Sequence, residues 1–406
     1  MPEEMKARAS VRAVPPRTVS GKDVPMPGPP RFPGSIVLLL ATGIAAASCQ
    51  DAGDAQGDGP DAPTVPENTV QGDLGAEIDA YITGLTPDRF GGTVLVAREG
   101  EVVLNKGYGM ADRSGNIPNS SESVIIIGSI TKQFTATGIL KLEMQGKLST
   151  EDSLQEYFPD LPEEKRDITL HQLLTHTGGL IDYTGDDWDN GDFEVAPRDE
   201  TIQEAFDAPL LSVPGEEFHY SNSSYSVLAA IIELVSGQSY EEYLSEHVFK
   251  PAGLYATGYR LPAWDEHVLS RYYVEGEDLG IPLERPYPQW NVLGNGGLLT
   301  TTGDLYRWHL ALAGETILSA EAKAKFYTPH LENYALGWDV EQTDNGLLIQ
   351  HSGSGSFRGA DVAIFRRYVD ARVVVAVLGH VSFEEENLTR EVAERIVEIV
   401  FGNGNA

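Results

Sequence analysis

Apolar residues recur along this chain in two rhythms, and the order of the rhythms predicts an architecture. Residues 91–109 read GGTVLVAREGEVVLNKGYG, two β-branched runs around Arg98-Glu99-Gly100, which is the pattern of a β-hairpin. Apolar spacings of three and four predict a helix over Ala76–Leu85 ahead of the hairpin. Behind it they predict helices over Thr131–Gln145, Leu170–Thr175, Tyr225–Val235, Gly303–Ala313 and Ala320–Phe326. Strand-like runs return only at Ala335–Glu341, Leu347–His351, Gly359–Phe365 and Arg372–Leu378, before a final amphipathic helix over Leu388–Val400. Strands at both ends with helices between them imply an antiparallel sheet completed by the C-terminal half. The expected class is mixed α/β in the α+β sense, a sheet flanked by helices plus a helical subdomain.

Residues 1–73 follow neither rhythm. Residues 1–34 carry six basic side chains against three acidic ones, and Ile36 to Ala47 is a short, mostly apolar run ending at Ser48-Cys49. Basic residues, an apolar run and small residues make an export leader, expected over 1–48. Initiation at Met26 would leave a more ordinary leader, with Arg31 as its basic residue. Cys49 is the only cysteine of the chain, and its setting resembles the acylated cysteine of a bacterial lipoprotein. An ordinary secretory leader with an incidental cysteine is the alternative. Residues 50–73, QDAGDAQGDGPDAPTVPENTVQGD, hold almost no large apolar group and are expected, with Cys49, to form a mobile acidic tether. Residues 74–406 are then one folded domain.

Composition narrows the partners. A chain of 406 residues that is 41% hydrophobic can bury a large core, and a single cysteine excludes a disulfide scaffold. The 29 basic and 61 acidic residues sum to −32, which disfavours nucleic acid or an anionic membrane face as partners. The longest apolar run is too short to span a bilayer, so membrane attachment is expected only through a lipid on Cys49.

Candidate chemistry begins at Gly128-Ser129-Ile130-Thr131-Lys132, where Ser129 opens a predicted helix and no other lysine has a serine three residues before it. Positions i and i+3 share a helix face, so the Lys132 amine can reach the Ser129 hydroxyl. A buried lysine loses its proton more readily and can then activate a serine. The alternative is a capping serine beside a surface lysine. Tyr220-Ser221-Asn222 is the only Tyr-x-Asn among seventeen tyrosines and precedes the Tyr225–Val235 helix. Alone, Asn222 or Ser223 could equally be a helix cap. His351-Ser352-Gly353, followed by Ser354, stands at a strand end. His176-Thr177-Gly178 offers a second copy, but it precedes the tyrosine and lies at a helix end. His351 is preferred because a strand edge can align a substrate backbone.

In this order the three motifs resemble the active-site serine family that unites class C β-lactamases, serine D-Ala-D-Ala carboxypeptidases, D-aminopeptidases and related esterases. HQLLTHTGGL, VPGEEFHYSN, GNGGLLTTTGDLYRW and YALGWDV are similar to further landmarks of that family, in order, across roughly residues 77–401. The resemblance implies a β-lactamase/transpeptidase-like fold and an acyl-enzyme on Ser129, with Lys132 and Tyr220 shuttling its proton. It implies that the backbone N–H groups of Ser129 and Ser354 form the oxyanion hole and that Asn222 holds Lys132 and the acyl amide. It also has His351 face Tyr220 and Ser352 donate to a substrate carboxylate, with Gly353 completing that motif. No metal or other cofactor is called for, and the nine histidines show no metal-ligand spacing of the His-x-x-Glu-His kind.

The β-lactamases of the family typically carry Lys where this chain has His351, and the class A pattern Glu-x-x-Leu-Asn is absent. The pairing of Tyr-Ser-Asn with His-Ser-Gly looks more like the carboxypeptidases and D-aminopeptidases. The expected activity is therefore an envelope peptidase acting on a peptidoglycan peptide or a small-molecule analogue. An esterase or amidase, a class C-like β-lactamase and a tethered penicillin-binding module that does not turn over remain as alternatives.

Overall fold

Every residue of the run Val373–Gly379 is buried, which an antiparallel strand with one wet face does not produce. In the computed structural model this strand is the middle member of a seven-stranded antiparallel sheet covered on both faces. The structure describes residues 63–86, 89–182, 195–264, 267–355, 361–383 and 386–402. The expected leader, Cys49, the first part of the expected tether and residues 356–360 lie outside the described residues. Among the described residues no helix is long and apolar enough to cross a membrane.

The sheet comprises β1 (Thr69–Val70), β2 (Gly92–Arg98), β3 (Glu101–Tyr108), β4 (Asp339–Thr343), β5 (Gly346–Ser354), β6 (Asp361–Tyr368) and β7 (Val373–Gly379). Their spatial order is β1-β3-β2-β7-β6-β5-β4, so the C-terminal strands join the N-terminal hairpin through the β2–β7 pair. Side chains alternate across a strand, and here both sets are apolar. Val373, Val375 and Val377, with Val94 and Val96, pack beneath helices α1 (Gly72–Thr83) and α4 (Leu388–Phe401), which supply Ile78, Ile82, Val392 and Ile396. Val374, Ala376 and Leu378, with Leu95 and Ala97, join the larger core on the opposite face. Each large side chain so buried contributes about 1.5–3 kcal/mol.

That larger core contains α2 (Thr131–Met144) and α3 (Asn222–Ser236), which pack on one another. Every position of α2 from Thr131 to Leu140 is buried, so it is a central helix and not an amphipathic surface one. The helix expected over Thr131–Gln145 thus forms almost as predicted. The helix expected over Tyr225–Val235 starts earlier, because Ser221 caps it by accepting the N–H of Ser224.

Three expectations need correction. The tether does not extend to residue 73: Val65 is buried, and Thr69–Val70 pairs with Asn105 and Leu104 as the edge strand β1. A two-residue strand is too short to show any alternation. A helix at Arg198–Asp207 was not expected, because its apolar face is only Ile202, Ala205 and Phe206. The strand expected over Ala335–Glu341 begins only at Asp339. Gly337 turns the chain at a φ of +78°, and a Cβ there would stand 2.8–2.9 Å from the backbone of Lys132 and Gln133. The run Tyr334–Trp338 is therefore a loop pressed against the start of α2.

Candidate active site

Ser129 lies in a turn of 3-10 helix, Gly128–Ile130, that leads directly into α2. Gly128 has a φ of +48°, and a Cβ there would collide with the backbone of Gly353 and Ser354 on β5. A Cβ on Gly353 would in turn collide with the carbonyl of Ile127. Two glycines thus let the turn touch the strand, which brings Ser129 beside Ser354. The register of β5 against β6 shifts between Gly353 and Ser354, a bulge at the site. Gly353 serves this close approach and is not a wall of the cavity beside it.

Lys132 is fully buried. Its Nζ donates to Ser129 Oγ at 3.1 Å, to Asn222 Oδ1 at 2.7 Å and to the Asn295 carbonyl at 2.7 Å. Three oxygen acceptors thus hold the amine in place between the nucleophile and two asparagines. Asn222 is oriented from its other side, where its Nδ2 donates to Asp182 Oδ2 at 3.1 Å. Lys132 also lies 4.7 Å from the ring centre of Tyr220. The capping-residue reading of Ser129 and the surface reading of Lys132 both fail on this geometry.

Tyr220 is half-buried and its hydroxyl is hydrogen-bonded to the Ser129 hydroxyl. Burial pushes its phenol well above the usual range, the carboxylates of Asp182 and Asp339 add to that, and the bond from Ser129 opposes it. Tyr220 is therefore a neutral phenol in the resting site. The segment is clamped next to it: Ser221 N–H donates to His176 Nδ1 at 3.1 Å, and Ser221 Oγ donates to the Ile181 carbonyl at 3.1 Å. His176, set aside as the second copy of the motif, is thus part of the wall behind Tyr220. Its burial, with Lys132 and His351 nearby, holds the imidazole well below its ordinary value and so uncharged.

His351 is buried on β5, where its Nδ1 donates to the Ser352 carbonyl at 2.5 Å and its Nε2 lies 3.2 Å from Tyr334 Oη. The ring of Tyr334 stands 5.8 Å from that of His351 and 6.2 Å from that of Tyr220. Tyr334, which the sequence reading did not single out, thus stands close to both His351 and Tyr220. Tyr334 and Asp339 both belong to YALGWDV, and Asn295 to GNGGLL, landmarks that were legible as motifs while their side-chain roles were not.

These elements surround a cavity of about 380 Å³, with Ser129, Tyr220, Asn222, His351, Ser352 and Ser354 on its walls. Asp182 and Asp339 also line it. Burial pushes the Asp339 carboxyl up to about 6, with Arg390 pulling it down more weakly. A nucleophile, two proton-carrying groups beside it and a concave apolar-and-polar wall are the parts that covalent acyl transfer needs.

Comparison with known proteins agrees with the geometry. The family model described as Beta-lactamase matches residues 42–397. PbpX of Bacillus subtilis (strain 168) is 35% identical over 253 residues, 62% of this chain and 62% of the relative, so the match leaves more than a third of each chain uncovered. Penicillin-binding protein 4* of the same organism is 29% identical over 345 residues, covering 77% of this chain and 73% of that one. Among solved structures, an octameric penicillin-binding protein homologue from Pyrococcus abyssi superposes with a TM-score of 0.70 at 26% identity, over 82% of this chain and 78% of the other. The fold is the β-lactamase/transpeptidase-like one, and the chain belongs to the Beta-lactamase family of serine hydrolases.

Proposed function

We propose that this serine hydrolase acts through an acyl-enzyme on Ser129 and cleaves amide bonds of D-amino-acid substrates, as a D-alanyl peptidase of the D-Ala-D-Ala carboxypeptidase or D-aminopeptidase type. The observation that carries the reading is the Lys132 amine: it reaches Ser129 Oγ and is held by Asn222 and Asn295, while Tyr220 binds the same hydroxyl from the other side. Ser129 Oγ attacks the acyl carbon and its proton passes to deprotonated Lys132. Tyr220, entering as a neutral phenol, gives its proton to the leaving nitrogen as the C–N bond breaks and regains one from Lys132. Water then adds to the Ser129 ester and releases the acid. Positioned proton transfer of this kind supplies about 10²–10⁴-fold, and each oxyanion donor at Ser129 or Ser354 about 10²–10³-fold.

His351 in place of a lysine favours the peptidase reading over β-lactamase, since a neutral imidazole does less than an ammonium to keep Tyr220 ionised. An envelope location, with acylated Cys49 as anchor, fits a cell-wall peptide as substrate. A fluorophosphonate probe tests the assignment: the purified protein should be labelled at Ser129, and Ser129→Ala should not. Equal labelling of both would refute it.

A further inference from the structure

Two asparagines hold the Lys132 amine, and one face of α3 governs both. Asn222 opens that helix, and its side-chain oxygen accepts from Lys132 Nζ at 2.7 Å. Ser226 stands four residues further along, on the same side of the helix. Its side chain is fully buried and bonds three groups of one loop. The carbonyls of Trp290 and Leu293 share its proton, each at 3.0 Å, and its oxygen accepts from Asn295 Nδ2 at 2.9 Å. The other proton of that amide goes to the Asn291 carbonyl at 2.8 Å. Asn295 is thereby fastened to α3 and to its own loop, and its main-chain carbonyl is the one that accepts from Lys132 Nζ at 2.7 Å.

The loop is fitted closely between two helices. Gly294 has a φ of +87°, and a Cβ there would stand 2.6 Å from the Ala229 Cβ and 2.7 Å from the Tyr225 carbonyl oxygen, both on α3. Thr135, one turn beyond Lys132 on α2, donates to the Gly294 carbonyl at 2.5 Å. Ser226 differs from Thr135 in bonding the side chain of Asn295 itself. A buried hydroxyl that serves two carbonyls and an amide cannot be removed without leaving polar groups unpaired, and the loop must shift to pair them again. The amine takes its proton from Ser129 Oγ along a set line, and misplacing such a group by about 1 Å costs about 10²-fold in rate.

We infer that Ser226 is a positioning residue for acylation: through Asn295 it aims the carbonyl that holds Lys132 in line with Ser129. This rests on the acyl-enzyme reading. Asn295 lines the cavity and Ser226 is buried behind it, so the serine acts on the chemistry only through the asparagine and the lysine.

The test follows labelling of Ser129 by a fluorophosphonate over a range of probe concentrations, which separates the maximal rate from the half-saturating concentration. In that reaction Ser129 Oγ displaces fluoride from phosphorus and its proton passes to Lys132. Ser226→Ala should lower the maximal rate at least about tenfold, a part of the 10²–10⁴-fold or so that a positioned base supplies, with the half-saturating concentration little changed. In the Lys132→Ala protein the same substitution should alter the rate by less than about twofold, because its effect passes through the amine. Asn295→Ala breaks the same knot from the loop side while keeping the main-chain carbonyl, and it should show the same loss and the same dependence on Lys132. Either variant therefore decides the matter if the other does not fold. A wild-type maximal rate in a folded variant, or an equal loss with and without Lys132, overturns the inference. Absence of Ser129 labelling in the wild-type protein would instead overturn the acyl-enzyme reading itself, so the two failures are distinct.

Discussion

The imidazole of His176 lies against the phenol ring of Tyr220, with ring centres 4.3 Å apart and planes inclined by 36°. Tyr220 bonds the nucleophile, so His176 is one residue removed from the chemistry and acts as a positioning residue. His176 itself is held at a φ of +57°, and its carbonyl accepts the N–H of His219 at 2.8 Å. The two segments are fastened at both backbone and side chain.

Replacing His176 by Ala should remove the stack and leave the buried Ser221 N–H unsatisfied, at a cost of about 1–3 kcal/mol in stability. Acylation should slow through kcat, with KM little changed, because the substrate does not touch this ring. His176→Phe restores the stack but not the acceptor and should recover part of the loss. Stopped-flow labelling of Ser129 together with thermal melts reads both effects. Wild-type acylation in His176→Ala would show that Tyr220 is positioned without it.

Asp339 links stability to pH with a defined sign. Its carboxyl stands at about 6 in the folded protein against an ordinary 3.8, so the native state holds the proton more tightly than the unfolded chain. Its contribution is fully present below about 4 and is lost as pH rises through about 6. The difference corresponds to at most about 3 kcal/mol. Asp339→Asn should therefore melt higher than wild type at pH 8 and show little advantage at pH 4. Across the cavity Asp339 faces Asp182, His351 and the neutral phenols of Tyr220 and Tyr334, with Arg390 as its cationic neighbour. Identical melting of the two proteins at both pH values would contradict the burial argument.

Gly337→Ala tests how the loop before β4 supports the site. The substitution meets both a φ of +78° and the Lys132 backbone at 2.8–2.9 Å. Strain of this kind costs about 1–3 kcal/mol, and relief requires α2 or the loop to move. The expected result is a lower melting temperature and a disproportionate loss of Ser129 labelling. A stable variant with full labelling would show that the close approach is not needed.

Anchoring is tested on the full chain in a bacterial host. Acylated Cys49 should place the protein in a detergent-soluble membrane fraction, because two or three acyl chains give stable attachment. Cys49→Ser should release or stall it. Recovery of processed Cys49→Ser protein in the membrane would contradict the lipid anchor.

The parts of the site that were legible in the sequence are those written as short local motifs. Ser129 and Lys132 are one helical turn apart, and Tyr220 and Asn222 flank the Ser221 cap at the start of a helix, so spacing alone places each pair close together. His176, Tyr334, Asp339, Asp182 and Asn295 reach the site from separate segments, and only the packing of the Gly337 loop, the Ser221 clamp and β5 brings them in. The sheet was legible for a similar reason. Its long strands carry unbroken apolar runs, whereas β1 is two residues whose only signal is its partner at Asn105 and Leu104. Trp338 read as strand because apolar residues surround it, yet the glycine before it decides the conformation.

The central claim is that Ser129 is the residue acylated, with Lys132 as the group that takes its proton. Intact-protein mass spectrometry during incubation with a penicillin measures this most directly. The account predicts an adduct of one penicillin mass located on Ser129, lasting minutes, absent in Ser129→Ala and formed at least about 10²-fold more slowly in Lys132→Ala. An adduct on another residue, or wild-type acylation of the Lys132→Ala protein, would contradict it.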